Sequence, residues 1–161
     1  MKTIVFAGGC FWGVEAYFNL LDGVTFTKVG YANGNVVSPT YEQVCTSTTG
    51  HYEAVYVEYD DMIIGLDKLL GAYWEIVEPT VKDRQGPDIG SQYGTGIFYT
   101  NEDDKKIIEQ SKTSEQEKYD SPIVTVIEPL KNFFNAEQYH QKYLDKNPNG
   151  YCHIPLNKYK D

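Results

Sequence analysis

The chain has 161 residues, a formal net charge of −9, 14 tyrosines and three cysteines. That length suits one domain with a full core. The acidic balance argues against nucleic acid or an anionic membrane surface as a partner. The first apolar run, Thr3-Ile4-Val5-Phe6-Ala7, is too short for a signal-peptide core or a membrane span, so a cytoplasmic protein is expected.

In chain order, Thr3 to Ala7 predicts a short buried strand. From Phe11, apolar residues recur at Val14, Phe18 and Leu21 as one helical stripe that Asp22-Gly23 ends. Thr25 to Tyr31 predicts a second strand, followed by a polar Gly/Asn-rich loop to about Pro39 and a helical turn over 41–45. Glu53 to Tyr59 alternates, with Glu53, Val55, Val57 and Tyr59 on one face. Leu66, Leu69, Leu70, Tyr73 and Ile76 form a second helical stripe. Gly96 to Thr100 predicts a strand, and Asn101 caps a polar surface helix whose first turn carries Glu102, Asp103 and Asp104. Val124 to Ile127 predicts a last strand and Ala136 to Leu144 a final short helix, before a turn-rich tail that begins at Asn147-Pro148-Asn149-Gly150. The order strand, helix, strand, strand, helix, strand predicts an α+β fold. The expected form is a two-layer sandwich around a split βαβ (ferredoxin-like) core with an irregular C-terminal tail. A single domain is expected over 1–161, with Cys152 in its tail, 145–161.

Three cysteines at 10, 45 and 152 are too few and too odd for a secreted disulfide framework. Cys10 stands in Gly8-Gly9-Cys10-Phe11-Trp12-Gly13, between a strand and a helix. A helix N-terminus offers unpaired amides and the positive end of the peptide dipoles, which favour a reactive thiolate. Glu53 shares its strand face with Val55 and Val57, and a buried carboxyl group keeps its proton and can act as a general acid. A strand-end Glu turned to solvent is the competing reading. Tyr41 and Tyr93 lie in loops punctuated by Pro and Gly, where functional groups concentrate, and Asp88 opens the second of those loops. Cys45 fits a small buried hydrophobe. Cys152, in a tail without regular pattern, can swing onto another sulfur as a resolving thiol must.

The cysteine spacings of 35 and 107 residues, with no Cys-x-x-Cys, do not suit a metal site, and His153 beside Cys152 does not make one. His140 lies 130 residues after Cys10, near the spacing of papain-like proteases, but the local signature of that family is absent. No phosphate- or dinucleotide-binding glycine motif is present.

Five segments in order carry a resemblance. They are Gly9-Cys10-Phe11-Trp12-Gly13, Pro39-Thr40-Tyr41-Glu42-Gln43-Val44-Cys45, Thr49-Gly50-His51-Tyr52-Glu53-Ala54-Val55, Gly90-Ser91-Gln92-Tyr93 and Asn147-Pro148-Asn149-Gly150-Tyr151-Cys152. Together they closely resemble the peptide methionine sulfoxide reductase A family, over residue 3 to about residue 153. The resemblance implies reduction of methionine-S-sulfoxide, free or in oxidised proteins, by a chain expected to be a monomer. It implies Cys10 as nucleophile, Glu53 as acid, and Tyr41 and Tyr93 as donors to the sulfoxide oxygen. Phe11 and Trp12 correspond to walls around the substrate methyl, Asp88 to a polar pocket residue and Cys152 to the resolving cysteine. The tail beyond has no further thiol, so the implied recycling disulfide is Cys10–Cys152. No cofactor is expected to bind; an external dithiol, thioredoxin in this family, supplies the electrons. A thiol peroxidase and a non-catalytic redox sensor are the competing classes.

Overall fold

The computed structural model describes residues 1–86, 88–152 and 154. Its centre is a six-stranded sheet. The strands are β1 (Lys2–Gly8), β2 (Val24–Ala32), β3 (Tyr52–Tyr59), β6 (Thr95–Tyr99), β7 (Val126–Pro129) and β8 (Phe133–Asn135), and they lie side by side in the order β7-β6-β1-β3-β2-β8. A two-stranded hairpin, β4 (Arg84–Gln85) with β5 (Asp88–Ile89), stands apart. β3 lies between β1 and β2 and runs antiparallel to both, so β1 and β2 share a direction. β6 runs antiparallel to β1, and β7 parallel to β6.

The alternation along these strands sorts side chains onto two faces. Ile4 and Phe6, Val29 and Tyr31, and Val55, Val57 and Tyr59 join the main core. Over that face lie α1 (Phe11–Phe18), α3 (Leu66–Ile76) and α4 (Glu102–Gln116). Phe6 stacks between Phe18 at 4.7 Å and Tyr73 at 4.9 Å, which ties β1 to α1 and α3. Val5, Ala7, Ala32, Ala54 and Phe98 point the other way into a smaller cluster with Tyr52, Tyr56, Val126, Leu130 and Phe133. The Asn101 side chain accepts the Asp103 amide at 2.9 Å, the cap expected of α4, and that helix buries only Asp104, Ile108 and Glu115.

Two expectations need correction. The strand expected from Val124 as the last one begins at Val126, because the Val124 amide is already bonded to the Pro79 carbonyl at 2.7 Å, and β8 follows it in the chain. No continuous helix spans 136–144. Instead, a 3-10 turn over Gln138–His140 precedes the four-residue α5 (Tyr143–Lys146). The break has a local cause. Gln141 turns its amide onto β2, accepting the Val29 N–H at 2.9 Å and donating to the Val29 carbonyl at 2.8 Å, and Lys142 follows with φ +53°. The little β4–β5 hairpin and β8 carry no periodicity long enough to be read in advance.

Candidate active site

β1 delivers the chain to Cys10 through Gly9, whose φ of +92° suits glycine and turns the strand into α1. Cys10 is the N-cap residue of that helix. Pairing of β1 with β3 extends to Phe6↔Val55, and Glu53 stands two residues beyond, opposite Tyr31 of β2. Its Oε1 accepts the Phe11 amide at 3.3 Å, so the carboxyl group meets the first turn of the helix that Cys10 opens. Glu53 is 1% exposed, and its Oε2 is buried without a hydrogen-bond partner. Burial pushes its pKa up to about 8 against the opposing Phe11 amide, and the Asp88 charge adds to the rise. At neutral pH Glu53 therefore holds a proton, with an oxygen free to give it away.

The expected thiolate is not the resting state of Cys10. Burial raises its pKa well above the usual thiol range, and the charges of Glu53, Asp88 and Cys152 raise it further. The Trp12 amide pulls in the opposite direction and is outweighed. One helix end stabilises an anion by roughly 1 kcal/mol, less than burial of a thiolate costs. Cys10 itself is buried, with 7% of its surface exposed.

Tyr41 starts α2 (Tyr41–Cys45), a five-residue helix fixed by a capping box. Thr40 Oγ1 accepts the Gln43 amide at 3.2 Å, and Gln43 Oε1 accepts the Thr40 amide at 2.8 Å. Tyr93 ends the 3-10 turn Ser91–Tyr93, which Gly90 enters at φ +146°. Both phenols lie within the field of Glu53, and Tyr93 within that of Cys10 as well. Burial, the main cause, raises both pKa values, so each keeps its O–H as a donor. Asp88 accepts a hydrogen bond from the Tyr151 hydroxyl at 2.8 Å, and its charge reaches Cys10, Glu53 and Tyr93. Residues far apart in the chain thus converge on Cys10.

The two aromatic residues divide their tasks. Phe11 is 1% exposed, with Tyr31, Tyr41 and His140 rings 5.3–6.3 Å away, so it backs the site from within. Trp12 is half-buried and stacks on Tyr143 at 3.8 Å. Its Nε1 donates to His140 Nδ1 at 3.0 Å, which assigns the ring proton of His140 to Nε2. That Nε2 is buried and has no partner, and burial lowers the His140 pKa, so the ring stays neutral. Sequence reasoning missed His140 as part of this cluster, and also Glu137. Glu137 takes the Tyr31 hydroxyl at 2.9 Å and the Tyr41 amide at 3.0 Å. The dense run Tyr139-His140-Gln141-Lys142-Tyr143 was the available signal.

Cys152 is half-buried and borders a cavity of about 130 Å³ with Ala16, Leu20, Leu144 and Pro148. Its thiol donates to the Ile154 carbonyl at 3.1 Å, and its charge is felt at Cys10. Tyr151 on Asp88 brings this part of the tail back to the site. His153 and residues 155–161 lie outside the described residues. All three cysteines are free. Cys45 is exposed rather than buried, because Val44 takes the inward position of the short helix α2. Among the described residues there is no cluster of three or more metal-ligating side chains, and no helix long and apolar enough to cross a membrane.

An oxidisable thiol with a second thiol able to take up the bond is the working part of a thiol-based oxidoreductase. The family model for peptide methionine sulfoxide reductase matches residues 2–161. The chain is 68% identical over 155 residues to the peptide methionine sulfoxide reductase MsrA of Clostridium acetobutylicum, covering 96% of each. It is 62% identical to that of Alkaliphilus metalliredigens, covering 97% of this chain and 99% of the relative. Among solved structures, Saccharomyces cerevisiae Mxr1 in its reduced form aligns with a TM-score of 0.90 at 43% identity, over 96% of this chain and 89% of that one. Mxr1 in complex with Trx2 aligns at 0.64 with 32% identity, over 88% and 84%. The chain belongs to the peptide methionine sulfoxide reductase family and is an enzyme that reduces methionine sulfoxide, which decides against the peroxidase and the sensor.

Proposed function

We propose that Cys10 attacks the sulfur of a methionine-S-sulfoxide while Glu53 protonates its oxygen. The observation that carries this reading is the buried, proton-bearing Glu53 carboxyl group, with one oxygen unpartnered, at the head of the Cys10 helix. Glu53 gives its proton to the oxygen, and the Cys10 thiol proton passes to the resulting carboxylate. The buried site then never holds two unpaired charges, which suits a thiol so reluctant to ionise alone. Tyr41 and Tyr93 donate to the oxygen as it gains charge, as donors do in an oxyanion hole. Trp12, backed by Phe11, receives the methyl group, and Asp88 lines the polar side. Donors on one side and a methyl wall on the other select one sulfoxide epimer.

Methionine leaves, and Cys10 remains as sulfenic acid. Cys152 condenses with it, water departs, and a Cys10–Cys152 disulfide forms. An external dithiol then reduces that bond, so the protein supplies its own residues and binds no cofactor. The Mxr1–Trx2 complex supports thioredoxin in this role, because its Mxr1 partner shares this fold. The sheet order, with β3 inserted between β1 and β2, supports reading the fold as a split βαβ (ferredoxin-like) core. We place one catalytic domain over 1–161, acting as a monomer in the cytoplasm on free or protein-bound sulfoxide. An epimer-resolved assay, first with dithiothreitol and then with thioredoxin, tests the reading. Turnover of the S epimer alone is expected, and loss of activity in Cys10→Ser; an active Cys10→Ser chain overturns it.

A further inference from the structure

The chain has two methionines, Met1 and Met62. The fold puts both at the same end. Lys2 pairs with Tyr59, and Asp60 then opens the turn that carries Met62. Met62 is 90% exposed. β1 leaves that end and runs its seven residues before the chain arrives at Cys10. At about 3.3 Å per residue this separates the Met62 end from Cys10 by roughly 20 Å or more. Nor can the turn carry Met62 across. The Met62 amide is bonded to Asp60 Oδ1 at 2.9 Å, and the Ile63 and Ile64 amides to the Asp60 carbonyl at 2.9 and 3.0 Å. Ile64 is buried in the core beside them. The thioether of Met62 thus stands in solvent, open to oxidants and to other molecules, and out of reach of its own nucleophile.

We propose that Met62 sulfoxide is a substrate of this enzyme in trans, one copy repairing another. The proposal rests on the reductase reading above. Hydrogen peroxide transfers one oxygen to the Met62 sulfur and leaves as water. Cys10 of a second copy takes up that oxygen as its sulfenic acid, and the Met62 sulfur regains two electrons and is methionine again. Cys152 of that second copy closes the disulfide with loss of water, and dithiol reduces it. With Cys10 buried, a partner chain must offer its sulfur on a side chain that projects from its own surface. Met62, on a tight turn beside the exposed Ile63, has that form.

The test uses a Cys10→Ser chain treated with hydrogen peroxide, whose remaining thiols are then restored with dithiothreitol. It is mixed with a small catalytic amount of native enzyme, dithiothreitol and a methionine-sulfoxide peptide as internal standard. Mass spectrometry follows the Met62 fragment. The oxygen is expected to be lost from about half of the molecules, the share present as one epimer, and retained without native enzyme. Persistence of Met62 sulfoxide while the peptide is reduced overturns the proposal alone. If neither is reduced, the reductase reading fails and the proposal falls with it. Oxidised native chain supplies the last arm: about tenfold dilution must slow fractional repair about tenfold, as a bimolecular step requires. A rate indifferent to dilution means repair within one chain and overturns the proposal.

Discussion

Glu53 lost most of its hydration when β3 folded against α1, and its proton is the physical consequence. With its pKa pushed up to about 8 by burial, Glu53 in the proposed role of acid predicts a definite pH dependence. Single-turnover reduction with the native chain should be flat on the acid side and fall as pH rises through about 8, where Glu53 gives up its proton. Glu53→Gln should react at least 100-fold more slowly, within the usual range for a general acid, and lack that limb. Stopped-flow rates between pH 6 and 10 (roughly the span needed to bracket the pKa) check both. The same group costs stability. The folded state holds the Glu53 proton above the pH where an unfolded Glu releases it, so stability falls as pH rises from about 4.5 to about 8. Glu53→Gln should therefore be the more stable chain, on the order of 3 kcal/mol at pH 7, as urea melts would show. The alternation Glu53, Val55, Val57 made this inward carboxyl legible in the sequence. The state of Cys10 was not legible. A helix N-terminus can be read from residues, whereas the burial that outweighs it depends on what packs above.

At the scale of elements, α1 is held to the returning chain by two rungs. Trp12 stacks on Tyr143, and one turn later Glu15 binds Lys142 at 2.8 Å. Glu15 also accepts the Lys142 amide at 2.8 Å and the Thr27 hydroxyl at 2.8 Å, while Lys142 Nζ reaches the Thr27 carbonyl. The Glu15 side chain is 2% exposed and that of Lys142 37%, so the pair is buried on one side only. Lys142→Met should cost about 2 kcal/mol, below the figure for a fully buried pair because Lys142 is partly solvated. Because Tyr143 follows Lys142 directly, the Trp12 wall should loosen too. KM for the sulfoxide should rise several-fold with kcat little changed, and Lys142→Arg should restore it. Steady-state kinetics beside thermal melts would separate this from simple loss of fold. This region is also where periodicity misled. The apolar spacing from Ala136 to Leu144 imitates a helix, but Gln141 satisfies β2 instead, a contact between positions 112 residues apart that no local pattern contains.

In the whole molecule, the sheet brings distant segments to one end. β1 ends there just before Cys10 and β3 begins there with Glu53, while α2, β5 and the 3-10 turn Ser91–Tyr93 deliver Tyr41, Asp88 and Tyr93. β3 and its two faces could be read from alternation and β1, β2 and β6 from short strand-like runs, and five short segments carried the family resemblance. Their convergence needed the structure, as did the place of the tail. Tyr151 on Asp88 and Cys152 in the field of Cys10 show the tail already lying by the site while all three thiols are free. In the proposed resolution step Cys152 leaves its bond to the Ile154 carbonyl and moves onto Cys10. Two consequences follow for Cys152→Ser. One equivalent of methionine should form per chain at close to the native rate, because in the proposed mechanism Cys152 enters only after the reducing step. Turnover with thioredoxin should collapse, because no disulfide is offered to it. Tyr151→Phe isolates the tail itself. Without the bond to Asp88 the tail should spend less time over the site, and disulfide formation after a single turnover should slow by several-fold, the usual scale of one charge-assisted hydrogen bond. Quench-flow trapping of free thiols measures that step directly. A disulfide rate unchanged in Tyr151→Phe would show that the tail is held by the packing of Cys152 and Ile154 on the main core.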